Sequence, residues 1–279
     1  MQIEAFIQEI VNEVKQVEGV QGIVLGGSRA RGTHIATSDV DLGIYYDPDS
    51  PLDVNALGKV ATQLDDEHRA DVITEIGGWG PWINGGGWLQ IQSYPVDFLY
   101  RDLRKVGVVI DDCLHEKVEM FYQPGHPFGF VSSIYLAEVA VCQPLWDPAD
   151  ILAALKKKII PYPVALQKAL VQKFAWEINF SIQIARKSTE RSDVTYAAGC
   201  CFRSLMCMLQ VLFAVNKTYW LNEKGAVALA ETFPRQPERL RARVNETFRA
   251  LDANPPALQK AIATLEELSK DIHALLSDT

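Results

Sequence analysis

Two short stretches hold the residues best suited to chemistry. Gly26-Gly27-Ser28 is a small, flexible turn, and Asp39-Val40-Asp41 begins eleven residues after the serine. Glycines let a backbone approach an anion closely. The start of a following helix presents N–H groups and the positive end of its dipole. Ser28 adds a hydroxyl, and Arg29 or Arg31 a guanidinium. Asp39 and Asp41, at i and i+2 of a strand, project from one face. Two anions that close repel each other unless a cation lies between them. Hard oxygen ligands suit Mg²⁺ or Mn²⁺, which keep waters and bind substrate phosphates. Together the two halves are a means of holding a nucleoside triphosphate (NTP). The plainer alternative, a glycine hairpin followed by an acidic strand end, does not account for both halves at this spacing.

A two-metal phosphoryl-transfer site needs a third carboxylate on a neighbouring strand. Asp97, within Tyr94-Pro95-Val96-Asp97-Phe98-Leu99, fits. An acid inside an apolar strand is costly unless paired or metal-bound. The competing reading pairs Asp97 with Arg101 or Arg104.

Gly-Ser, ten intervening residues, Asp-x-Asp and a later strand Asp resemble the signature of the DNA polymerase beta-like nucleotidyltransferase superfamily. The resemblance runs from Gly27 to Asp97. It implies that Gly27 and Ser28 hold the triphosphate; Gly26 and Arg31 are the further nucleotide-binding candidates that the turn itself offers. It further implies that Asp39, Asp41 and Asp97 bind the metals, and that Asp97 is, or assists, the general base. The segment Leu212 to Trp220, followed by Glu223-Lys224, looks like the substrate-covering helical domain of bacterial aminoglycoside and lincosamide nucleotidyltransferase-like proteins. By that resemblance Lys224 reaches the triphosphate; otherwise it is a solvated lysine at a helix start. The implied reaction is Mg²⁺-dependent transfer of a nucleoside monophosphate, AMP from ATP, to a hydroxyl of a small-molecule acceptor, with release of pyrophosphate. Two other readings stand beside it: a protein-modifying (AMPylating) transferase, and a non-catalytic nucleotide-binding module.

The elements that must position these groups follow from periodicity. Ile3, Phe6, Ile7, Ile10, Val11 and Val14 recur at helical spacing. Val20 to Leu25 is a strand entering the glycine turn, and Val40, Leu42 and Ile44 give the acid-bearing strand one apolar face. Asp53 caps a helix running to about Asp65. Val72–Glu75, Trp88–Ile91 and Val96–Tyr100 are further strand candidates, and a helix covers roughly Asp102 to Leu114. Helices are expected near Ala149–Lys158, Pro163–Ser188, Val194–Val215, Glu238–Leu251 and Pro256–Leu276. The fold class is therefore α+β: an N-terminal nucleotidyltransferase domain with a mixed sheet (1–150), then a helical bundle (151–279), with the Pro161-Tyr162-Pro163 kink the best boundary signal.

Between the strands lies the Gly- and Trp-rich loop 77–87. Trp79, Trp82 and Trp88 could stack on a base or an acceptor ring, or anchor the loop, with anchoring slightly preferred. Asn84 reads as a turn residue, His115 and His126 as surface residues, and Asp65-Asp66-Glu67 as a solvated helix end. Arg203 interrupts an apolar helix and wants a buried partner.

The bulk numbers bound the partners. The 279-residue chain is 48% hydrophobic with a net charge of −8. It can bury a real core, and its acidic surface disfavours nucleic acid while weakly favouring a cationic acceptor. The five cysteines include no C-x-x-C pair, which argues against zinc and for reduced thiols in the cytoplasm. The first residues lack a leader pattern, and the apolar run 197–215 carries Arg203 and Gln210, as a core helix does; no membrane association is expected. Oligomeric state is not legible.

Overall fold

The computed structural model describes residues 3–277; Met1 and Gln2, at the start read for a leader pattern, lie outside them. Chain contacts divide the protein into two compact units.

The first unit runs to Asp112 and includes residues 120–125 and 130–161. In order it holds α1 (Ile3–Val14), β1 (Val20–Leu25), α2 (Gly27–Ala30), β2 (Val40–Tyr46), α3 (Val54–Leu64), β3 (Gly86–Ile91), β4 (Tyr94–Asp102), α4 (Leu103–Leu114), β5 (Met120–Phe121), β6 (Phe130–Val131), α5 (Ile134–Val141), β7 (Gln143–Trp146) and α6 (Ile151–Ile159). The final residues of α4 fall to the second unit. Five strands form one sheet in the order β3-β4-β2-β1-β7. It is mixed: β2 runs parallel to β4, and the other neighbours are antiparallel.

Alternation along the strands builds the core. Val40, Leu42 and Ile44 of β2 and Val96, Phe98 and Tyr100 of β4 are buried on one face, against Phe6, Ile10, Val11 and Val14 of α1. The intervening residues, Asp41 and Asp97 among them, therefore share the other face. Arg101 of β4 is buried and forks onto Glu138 of α5 at 2.6 Å through both Nε and Nη2.

Three local expectations change. Val72–Glu75 is not a strand; only Ile73 bridges, to Gly87. The segment is too short and too interrupted by turns to hold a ladder. Asp65 is fully buried rather than solvated. Its carboxylate accepts from Arg69 Nε at 3.0 Å and from the backbone N–H of Gln90 at 3.0 Å. His126 is mostly buried as well, 3.5 Å from the Glu223 carboxylate. The elements that went unread include the short β5 and β6, α5, and β7, which pairs with β1.

The second unit comprises residues 113–119, 126–129 and the chain from Tyr162 onward. It is helical: α7 (Val164–Ser188), a 3₁₀ turn (Thr189–Arg191), α8 (Val194–Val215), α9 (Ala226–Ala230), α10 (Leu240–Arg249) and α11 (Pro255–Ser277). α7 and α8 form a helical hairpin in which Ser204 Oγ donates to the Ile178 carbonyl and Arg203 pairs with Glu177. That pairing supplies the partner the Arg203 interruption required. By length and composition α8 could cross a membrane, yet 72% of its apolar window is buried inside the protein.

Candidate active site

The site begins where β1 ends. Gly26 donates its backbone N–H to the Asp41 carbonyl at 2.8 Å, tying the turn to β2. Gly27 opens α2 with a left-handed φ of +59°. A Cβ there would lie 1.7 Å from Asp41 Oδ2, so the Asp41 carboxylate rests directly against the Gly27 backbone. Only a residue without a side chain allows that approach. Ser28 follows in the first turn of α2, and Arg31 caps its C-terminus. Arg31 is half-buried, and burial pushes its guanidinium below the ordinary value.

Asp41 and Asp97 are register partners across the parallel β2–β4 pair. Residues so paired on one face have Cβ atoms about 5 Å apart. Asp39 precedes β2 by one residue, in phase with Asp41, and is exposed. Arg29 does not face outward as a phosphate ligand. Its Nε donates to the Asp39 carbonyl at 2.9 Å and its Nη2 to the Ser38 carbonyl at 2.6 Å. It thus fixes the loop that delivers Asp39, a role the spacing did not reveal.

The competing partners for Asp97 are engaged elsewhere: Arg101 with Glu138, and Arg104 with Asp47 and Asp49. Lys224 belongs to the second unit, exposed just before α9, with its N–H on Asn222 Oδ1. Asn84 is buried and donates to the Tyr46 hydroxyl at 2.8 Å, a structural tie. Of the three tryptophans in and beside the loop, Trp82 is an anchor, stacked on Phe121 and Phe130. Trp88 is 64% exposed.

Among the described residues no group of three or more His, Cys, Asp or Glu side chains is placed to hold a metal ion. The donor chemistry still fits Mg²⁺ or Mn²⁺. Mg²⁺ is commonly bound through one or two carboxylates, with waters and substrate phosphates completing its shell. Asp41 and Asp97, in register across β2 and β4, are two carboxylates of that kind; Asp39 does not join them in a group of three.

Residues 7–81 match the family model described as a nucleotidyltransferase domain. Residues 130–224 match a domain of unknown function, DUF4037. Among solved structures, a nucleotidyltransferase-like protein from Exiguobacterium sibiricum 255-15 is similar at 12% identity and a TM-score of 0.47, over 96% of this chain and 74% of that one. No curated protein matches the chain. The nucleotidyltransferase match covers the glycine turn and the acid-bearing β2 strand and ends before Asp97, so the N-terminal side of the chain carries a nucleotidyltransferase domain.

Proposed function

We propose that this protein transfers AMP from ATP to a hydroxyl of a small-molecule acceptor, with release of pyrophosphate. The observation that carries the reading is the in-register pair Asp41 and Asp97 set against the Gly27 turn. Gly26, Gly27 and Ser28 bind the triphosphate through backbone N–H groups and the Ser28 hydroxyl. Arg31, poorly solvated beside that turn, gains from an anion there. Asp39, Asp41 and Asp97 hold Mg²⁺ or Mn²⁺. When bound, the divalent ion lowers the acceptor pKa and neutralises charge developing on the α-phosphate. Asp97 takes the acceptor proton, directly or through water. The acceptor oxygen forms its bond to the α-phosphorus as the bond to the bridging oxygen breaks, and that electron pair leaves with pyrophosphate. Alignment and electrostatics supply most of the acceleration.

The test uses Asp41→Asn and Asp97→Asn, each checked by circular dichroism for an intact fold. Pyrophosphate release from ATP and Mg²⁺, with a small-molecule extract as acceptor source, should fall by at least ~100-fold in either variant. Turnover equal to wild type would overturn the assignment. Intact-mass measurement of proteins in the same mixture separates the acceptor classes: a small-molecule enzyme leaves them without adducts.

A further inference from the structure

Trp88 is the register partner of Asp97 across the antiparallel β3–β4 pair. Its side chain therefore stands on the sheet face that carries Asp97 and Asp41. It is 64% exposed, a large apolar ring left in solvent beside the acids. Trp79 stacks on it, with ring centroids 4.6 Å apart and planes 23° from parallel.

The stack is held from beneath. The Trp79 carbonyl accepts from Nε2 of Gln123 at 2.5 Å, and Oε1 of the same buried Gln123 takes the N–H groups of Trp82 and Ile83. The Trp88 carbonyl accepts from Arg69 Nη2 at 3.3 Å. Gly86 leaves room for Trp79, since a Cβ there would come within 3.0 Å of the indole. A loop organised only to anchor itself would bury its rings, as it does with Trp82. This one presents a preformed aromatic face.

Strand order fixes the side of the reaction on which that face lies. The sheet runs β3-β4-β2-β1, so the Gly27 turn at the end of β1 and Trp88 on β3 flank the acid pair from opposite sides. With strands ~4.8 Å apart, Trp88 lies one strand from Asp97 and two, about 10 Å, from Asp41. In-line displacement places the leaving and attacking oxygens on opposite sides of the phosphorus. If pyrophosphate leaves toward the glycine turn, the acceptor approaches from the Trp88 side.

We propose that Trp88, backed by Trp79, is the acceptor subsite, and that the acceptor is an alcohol bearing a ring with a flat apolar face. The ring stacks on Trp88 and places a neighbouring hydroxyl at Asp97. This rests on the nucleotidyl-transfer reading above. Both aromatic rings and the C–H faces of sugars have the required shape.

The test uses full-length ¹⁵N-labelled protein loaded with Mg²⁺ and a non-hydrolysable ATP analogue. The indole N–H signals of Trp79 and Trp88 are assigned from Trp→Phe variants. 4-Nitrobenzyl alcohol serves as the aromatic probe, methyl β-D-glucoside as the sugar probe and 1,3-propanediol as the ringless control. One ring probe should shift both indole signals saturably, and which one does so names the ring type; the control should not. Trp88→Leu should weaken that probe about fivefold to tenfold, the worth of a stacked ring. Trp88→Phe should restore most of the affinity, and ATP-analogue affinity should stay within about twofold in both variants. No shift from either ring probe with the analogue bound would overturn the subsite alone. A matching loss of analogue affinity in Trp88→Leu would also overturn it, by making Trp88 a nucleobase platform. Failure of the wild-type protein to bind the analogue would overturn the nucleotidyl-transfer reading, and the subsite with it.

Discussion

Gly26 and Gly27 are chemically identical and adjacent, yet the backbone gives them unequal tasks. Gly27 holds φ +59° and leaves no space for a Cβ, which would fall 1.7 Å from Asp41 Oδ2. At Gly26 an added Cβ would meet only Asp41 Cβ and the Asp41 carbonyl oxygen, both at 3.7 Å, which is ordinary contact. The left-handed φ alone costs an alanine about 1 kcal/mol. The greater penalty at Gly27 is displacement of the Asp41 carboxylate, and a shift of ~1 Å in a reacting group can cost ~100-fold in rate. Gly27→Ala should therefore lower nucleotidyl transfer by at least ~10-fold with only a modest fall in Tm, whereas Gly26→Ala should keep most of the activity. Parallel turnover and melting measurements on the two variants check this, and equal losses would contradict it. The sequence marks both glycines as an anion-binding turn. It cannot rank them, because the ranking comes from a carboxylate that arrives from another strand.

At the scale of elements, the β3–β4 hairpin that carries Trp88 and Asp97 is set by two acids at the end of α3. Asp65 accepts from the Arg69 guanidinium and from the backbone N–H of Gln90, and Asp66 accepts from the N–H groups of Gln92 and Ser93 at the hairpin turn, at 2.6 and 2.8 Å. The Arg69 side-chain hydrogen bonds hold the Asp65 carboxyl well below the usual carboxylate range, against the opposing pull of burial. A folded pKa below the unfolded value means that the unfolded state binds the proton more readily. The stabilisation is then full above the unfolded pKa of about 4 and is lost as pH falls toward the folded value. Asp65→Asn should cost about 2–3 kcal/mol at pH 7 and much less near pH 3, so its stability should fall less steeply with acid than that of wild type. Urea unfolding at a series of pH values reads this directly, and parallel pH profiles would refute it. Periodicity found the strands that carry Asp41 and Asp97 and the long helices α7, α8 and α11. It overread Val72–Glu75 and missed β7, because runs of about four residues hold too few positions to define a period. It also took Asp65 for a solvated helix end. Three consecutive acids look exposed, and the backbone donor that buries the first of them lies 25 residues downstream.

At the scale of the whole molecule, the chain does not finish one unit before entering the next. Residues 113–119 and 126–129 belong to the helical unit, while 120–125 and 130–161 belong to the sheet unit. Composition changes near Ile151, but composition carries no record of such excursions, because each spans only a few residues and is defined by its contacts. The segment 126–129 is held inside the helical unit by specific groups. Phe128 packs on Phe174, its N–H donates to Glu223 Oε1 at 2.9 Å, and the Arg203 guanidinium lies 4.8 Å from the Phe128 ring centre. Glu223 Oε2 lies 3.5 Å from His126 Nδ1. Burial would raise the Glu223 pKa, but the neighbouring His126 imidazole and the Phe128 N–H outweigh it and hold the carboxyl below its ordinary value. Removing that carboxylate leaves the Phe128 N–H without its acceptor in a largely buried place, at a cost of about 2–3 kcal/mol. Glu223→Ala should therefore destabilise the helical unit by that amount and raise amide exchange at 126–129. Glu223→Gln, which can still accept from Phe128, should lose about half as much. Hydrogen exchange resolved by segment distinguishes this from a general loss of stability: if 126–129 exchanges no faster than in wild type while the rest of the helical unit does, Glu223 is not what holds the excursion in place.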